Sequence, residues 1–126
     1  MIRLGLSRDE LGVIFDQVGT PTYANDLAKA ILKIVDILGK KESQKELYGL
    51  YHFSNEGVAS WYDFAHEIFR IRQIPVRLNP ILTKDYPTPA RRPHFSVMDK
   101  SKIKSVFSLT IPHWKDSLKE CMSLLE

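Results

Sequence analysis

Two short stretches carry side chains suited to holding an anionic ligand. Arg91-Arg92-Pro93 sets two guanidinium groups beside prolines, and planar donors in a stiff loop match the oxygens of a diphosphate. A solvated basic loop is the alternative reading of the same residues. Gln17-Val18-Gly19-Thr20-Pro21-Thr22 reads as a strand-to-helix turn. Gly19 there permits close backbone approach, and the helix N-terminus that follows favours anions. An ordinary helix cap would use the same residue types.

Other reactive side chains point to packing. His52, His66, His94 and His113 lack the i, i+4 pairing and neighbouring carboxylate of a helical zinc site, so structural or solvent roles fit them. Cys121 falls on the apolar face of the last helix with no fixed base nearby, which makes it a packing residue. The glycines, at 5, 12, 19, 39, 49 and 57, never fall in G-x-G or G-x-x-G spacing, so no dinucleotide-binding turn is visible. Four residues after the tyrosines stand Leu27, His52, Asn55, His66 and Ala90. No Tyr-x-x-x-Lys pair is formed, and no oxidoreductase centre is visible.

The elements that must position these residues follow from the apolar pattern. The 126 residues, 44% of them apolar and 26% charged, suit one α/β unit with its own core. A single cysteine excludes an internal disulfide framework and fits a reducing, cytoplasmic setting. No apolar run approaches the roughly 20 residues that span a bilayer, and the charged N-terminus does not read as a signal peptide. The net charge of +3 is too small, without a motif, to suggest nucleic acid.

The opening residues read as the tail of a helix, and Val13-Ile14-Phe15 as a buried strand. Thr22 is the expected cap of a helix packing Leu27, Ile31, Ile34, Val35 and Leu38, ended by Gly39. Lys40 to Glu46 reads as a polar loop and Gly49 to Phe53 as a short strand. Ser60 and Asp63 form a capping-box variant for a helix lined by Trp61, Phe64, Ala65, Ile68 and Phe69. Prolines at 75, 80, 87, 89 and 93 confine residues 75–95 to loops and short strands, where ligand contacts concentrate. Ser96 to Met98 suit a strand, and Asp99 suits the cap of a short helix holding Ile103, Val106 and Phe107. Pro112 opens a last helix packing Trp114, Leu118, Cys121, Met122 and Leu125.

Read in order, Asp16-Gln17-Val18-Gly19-Thr20-Pro21-Thr22-Tyr23, Asp26-Leu27-Ala28, Tyr51-His52-Phe53-Ser54-Asn55 and Ser60-Trp61-Tyr62-Asp63-Phe64-Ala65 resemble the C-terminal part of the dTDP-4-dehydrorhamnose reductases. Pro89-Ala90-Arg91-Arg92-Pro93, Ser96-Val97-Met98-Asp99, Lys102-Ile103 and Pro112-His113-Trp114 continue the match, which covers nearly the whole chain from about Leu11. These are extended short-chain dehydrogenases, with an N-terminal Rossmann domain for NADPH or NADH and a C-terminal lobe for the sugar nucleotide. The resemblance implies a single unit, residues 1–126, that is the sugar-nucleotide-binding part of a longer reductase. The Rossmann domain would be absent and Tyr51-His52-Phe53 would be a strand of its sheet.

The same resemblance implies a dTDP-sugar ligand whose diphosphate is met by Arg92 and Arg91, with Gln17, Pro21 and Thr22 shaping the wall near nicotinamide and sugar. Reduction of a 4-keto group to give dTDP-L-rhamnose would belong to the longer enzyme. Magnesium, bound by carboxylates in some members, is not implied, because the matching positions hold Asn25 and Leu124. A non-catalytic regulatory subunit of the same superfamily shares all these features. A chain separated from its sheet is expected to form homo-oligomers.

Overall fold

A computed structural model of the chain describes residues 1–40 and 45–125. Helix α1 (Ile2–Leu6) leads into strand β1 (Glu10–Ile14) and then β2 (Val18–Gly19). Helix α2 (Ala24–Gly39) follows, then a 3-10 turn at Lys45–Leu47, strand β3 (Ala59–Ser60) and helix α3 (Trp61–Arg72). Strand β4 (Arg77–Ile81), a second 3-10 turn at Thr83–Asp85, strand β5 (Phe95–Ser96), helix α4 (Ser101–Phe107) and helix α5 (Trp114–Ser123) complete the order. The fold class is α/β, as expected. Of the expected loop at Lys40 to Glu46, residues 41–44 lie outside the described residues.

β1 and β4 form a parallel pair, with Leu11 opposite Leu78 and Val13 opposite Pro80. Pro80 is tolerated because a two-stranded sheet leaves both strands an outer edge that needs no ladder donor. A second sheet, ordered β3-β2-β5, pairs β2 antiparallel to β3 and parallel to β5.

Helix α3 starts where the sequence places it. Ser60 Oγ accepts from the Asp63 amide at 3.0 Å, and Asp63 Oδ2 accepts from the Ser60 amide at 2.9 Å, so the two side chains satisfy donors at the helix start. Its buried side, Ala65, Ile68 and Phe69, packs with Leu11, Ala59, Trp114, Leu118 and Met122 to form a first core. Gly5 lies against Phe69, whose Cε1 would stand 2.5 Å from an added Cβ, so α1 sits there only as glycine. α5 ends at Ser123, leaving Leu125 beyond it and exposed, and Cys121 is half-buried, so the packed stripe is narrower than expected.

Further expectations need correction. Thr22 caps nothing: the helix begins after Tyr23, and the exposed Thr22 Oγ1 donates to Thr20 O at 3.2 Å. The packed side of α2 is Asp26, Ala30, Ile34 and Ile37, about 100° round from the expected stripe, while Leu27, Ile31 and Val35 are exposed. α2 is apolar on two sides, and periodicity alone does not choose between them.

Gly49 to Phe53 is not a strand. Leu50 O accepts from Lys102 Nζ at 3.0 Å, and Tyr51 and Phe53 turn onto a second core of Ala30, Ile103, Phe107, Leu109 and Ile111. Alternation of exposed Leu50 and His52 with half-buried Tyr51 and Phe53 fits extended chain, but no strand among the described residues pairs with it.

Asn55, with no exposed surface, joins elements of both cores. Its Nδ2 donates to Asp26 Oδ2 at 2.7 Å and Ser117 Oγ at 2.9 Å, and its Oδ1 accepts from the Tyr23 amide at 2.8 Å. Lys100 Nζ, itself buried, donates to Asn55 O at 2.8 Å and pairs with Glu56 Oε2 at 3.1 Å. Gly57 follows at φ +87°, where any side chain would strike His113. Helices α2, α4 and α5 are thereby tied to one turn of chain.

Candidate functional site

The register of the three-stranded sheet determines which candidate residues meet. Val18 stands opposite Ser60 on one side and Phe95 on the other. Because β3 runs against β2 while β5 runs with it, one step beyond this row brings Gln17, Trp61 and His94 to the same end of the sheet. The Val18 amide donates to His94 O at 2.8 Å, which extends the pairing to that row. Arg92 and Arg91 lie two and three residues before His94, so no more than about 11 Å of chain separates them from it.

Gln17 is buried at 8% exposure, and its hydrogen bonds run in one direction. The Trp61 indole N–H, which only donates, gives to Gln17 Oε1 at 3.2 Å. Gln17 Nε2 therefore faces Thr83 Oγ1, to which it donates at 3.1 Å. The Thr83 hydroxyl then gives its own proton to Asp16 Oδ1 at 2.7 Å, and the Thr83 amide donates to the same oxygen at 2.9 Å. The hydrogen bond from the Thr83 side chain is the largest cause holding the Asp16 carboxyl below its ordinary range, so the chain ends in an ionised acceptor. His94 Nδ1 lies 2.9 Å from the Asp16 carbonyl oxygen. A carbonyl only accepts, so Nδ1 is the donor of this contact.

Arg91 and Arg92 are exposed and make no hydrogen bond or ion pair among the described residues, so their donors are available to a ligand. Exposed aromatic residues stand in or within two residues of this row along their strands: Phe15 at 45%, Trp61 at 57% and Phe95 at 68%. Two free guanidinium groups beside a rigid polar relay and open rings suit an anion bearing flat groups.

Pro21 and Thr22 leave β2 at its other end, where the register carries them past Val58 and Val97. Close approach at Gly19 is not required either, since an added Cβ would meet only Ser96 O, at an ordinary 3.4 Å. The start of α2 is no anion site: Asp26 places a buried carboxylate in its first turn, and Asn55 takes the Tyr23 amide. The glycines of the chain form no glycine-rich turn of the dinucleotide-binding kind.

Magnesium does not fit either. Asn25 Nδ2 donates to Glu120 Oε1 at 3.4 Å and Lys29 pairs with the same oxygen at 3.3 Å, so the carboxylate beside Asn25 is already balanced. Leu124 offers no oxygen ligand from its side chain, whereas this cation needs an octahedral oxygen shell. No group of three or more His, Cys, Asp or Glu among the described residues could hold a metal ion. No helix among them is long and apolar enough to cross a membrane.

Asp16, Thr83, Trp61 and His94 were not among the expected ligand-side residues. Sequence signals for them were weak. A Trp directly after a capping serine and a Thr three residues after Pro80 mean little until the sheet register brings them together.

Similar known proteins include several dTDP-4-dehydrorhamnose reductases. The chain is 40% identical over its whole length to a dTDP-4-dehydrorhamnose reductase of Aggregatibacter actinomycetemcomitans, and spans 44% of that protein. It is 38% identical to the one of Escherichia coli K12, spanning 43% of it. Among solved structures, the dTDP-4-dehydrorhamnose reductase of Clostridium acetobutylicum superposes with a TM-score of 0.85 at 42% identity, covering 98% of this chain and 41% of that one. The Bacillus anthracis dTDP-4-dehydrorhamnose reductase, solved in complex with NADP, gives 0.85 at 34% identity over 97% of this chain and 41% of its own. The family model described as the RmlD substrate binding domain matches residues 1–126, and the chain belongs to that family.

Proposed function

We propose that this chain is the sugar-nucleotide-binding part of a dTDP-4-dehydrorhamnose reductase, and that the complete enzyme reduces a 4-keto group to form dTDP-L-rhamnose with NADPH or NADH. The observation that carries the reading is the match of the substrate-binding family over the full chain, together with relatives whose own length is more than twice as great. Hydride transfer and protonation would fall to residues outside this sequence. The absence of a glycine-rich turn and of Tyr-x-x-x-Lys supports that division, and makes the chain alone inactive.

Within the chain, Arg92 and Arg91 bind the diphosphate as charge-assisted donors, and Gln17 at one end of β2, with Pro21 and Thr22 beyond the other, shapes the wall near the nicotinamide and sugar. A dTDP-sugar is the partner, with no membrane or nucleic acid required, and a cytoplasmic setting suits a single unpaired cysteine.

Calorimetric titration of the chain with dTDP and with NADPH tests this. Binding of dTDP without NADPH is expected. Arg92→Ala is expected to weaken dTDP binding by about 1.5 to 3 kcal/mol, roughly 10- to 150-fold. Unchanged affinity in that variant would return Arg92 to the solvated-loop reading.

A further inference from the structure

Trp61 is the first residue of α3, and nothing in helix formation calls for an indole there. Trp61 is 57% exposed, whereas the chain's other tryptophan, Trp114, is 3% exposed. Trp61 is nonetheless not loose. Its N–H is held by buried Gln17, whose amide is fixed through Thr83 to Asp16, and its backbone is fixed by the Ser60–Asp63 capping box. The result is a large π surface open to solvent and anchored at its one polar atom.

Its place is specific. Trp61 and His94 flank Gln17 across the sheet, and neighbouring strands lie about 4.8 Å apart, so the backbone of Trp61 stands roughly 10 Å from that of His94, with the indole N–H turned to Gln17 between them. Arg92 and Arg91, whose donors are free, lie three and four residues before β5. A ligand with its phosphates on those arginines and a ring one or two phosphate lengths away has a ring-sized surface to land on.

We infer that Trp61 is the ring-stacking platform of this site, taking either the nucleobase or the pyranose of a nucleotide sugar on its open face. The inference rests on the nucleotide-sugar reading above and adds a residue that determines specificity. Gln17 acts through Trp61 and is a positioning residue.

The test uses the 126-residue chain and its Trp61→Ala and Trp61→Phe variants, with folding checked by circular dichroism. Each is titrated with dTDP, dTDP-rhamnose and pyrophosphate, followed by calorimetry and tryptophan emission. Stacking on one base is lost on truncation to alanine, so Trp61→Ala is expected to weaken binding about 10- to 100-fold, while Trp61→Phe stays within about threefold. Loss with both nucleotides assigns the base, and loss with dTDP-rhamnose alone assigns the sugar. Pyrophosphate, which has no ring, should bind all three proteins alike.

Emission of the wild-type chain should be quenched by the ring-bearing ligands and little changed by pyrophosphate. A folded Trp61→Ala chain that binds both nucleotides as tightly as wild type overturns the inference and leaves the nucleotide-sugar reading intact. Failure of the wild-type chain to bind any of the three overturns both.

Discussion

Asn55 shows how one buried side chain can hold several elements in place. Its amide meets Asp26, Ser117 and the Tyr23 backbone, and the Ser117 hydroxyl in turn donates to Asp26 at 2.5 Å. Alanine at this position would leave the Tyr23 N–H without its acceptor and take one of two donors from a buried carboxylate. Each such orphaned group costs about 1 to 3 kcal/mol, so Asn55→Ala is expected to destabilise the fold by about 2 to 4 kcal/mol in urea denaturation. Asn55→Asp preserves shape but sets a second carboxylate against Asp26, and is expected to be no less damaging at neutral pH. A loss below about 1 kcal/mol for the alanine variant would mean that solvent enters and replaces the missing partner.

Helix α3 links the capping box, the first core and the candidate site, and its acids set how the element responds to pH. Asp63 is held below its ordinary range first by the Ser60 side chain, and Glu67 first by Arg70, whose guanidinium lies 2.7 Å away. Just before the helix, Glu56 is lowered first by Lys104. A carboxyl with a depressed folded pKa contributes stability that is present above its unfolded pKa, about 3.9 for Asp and 4.3 for Glu, and lost as pH falls through the folded value. Stability is therefore expected to be level down to about pH 5 and to decline below about pH 4. Ser60→Ala should cost about 1 kcal/mol at pH 7 and make the acid decline shallower, because it removes the main cause of the Asp63 shift. Thermal melts of both proteins from pH 3 to 7 measure this, and parallel profiles would show that Asp63 does not contribute.

The same element marks what was legible in the sequence. Ser60-x-x-Asp63 announced its own helix, since a capping box depends on neighbours three residues apart. At α4 the local signal points one residue off: the cap is Lys100 rather than Asp99, although Asp99 Oδ1 does accept from the Ser101 amide at 2.8 Å. What depended on distant partners was not legible. The orientation of α2 is decided by Asn55, Phe107 and Ile111, far along the chain, and two apolar stripes on one helix gave no means of choosing. Gln17 was singled out, yet its partners Thr83 and Trp61 lie 66 and 44 residues away.

For the molecule as a whole, the consequence of α2's orientation is an uncovered apolar side. Leu27, Ile31 and Val35 are 39%, 50% and 59% exposed at i, i+4 spacing, and Leu32 beside them is 68% exposed. Adjacent exposed apolar side chains of this kind drive association at roughly 25 cal/mol per Å² covered. The sequence suggested that pairing would run through the backbone of Gly49 to Phe53. The structure turns Tyr51 and Phe53 inward and engages Leu50 O with Lys102, which leaves the side of α2 as the stronger contact. Two copies are expected to pair α2 against α2 about a two-fold axis, since the same stripe on both partners gives a closed interface. Sedimentation over a broad dilution series should show mass falling from dimer to monomer. Ile31→Glu with Val35→Glu should yield monomer at every concentration with unchanged circular dichroism, because neither residue belongs to the buried cores. Leu50→Glu should leave the dimer in place. If instead Leu50→Glu abolishes association and the α2 pair does not, the contact runs through the 49–53 segment after all, and α2 stays solvated in spite of its composition.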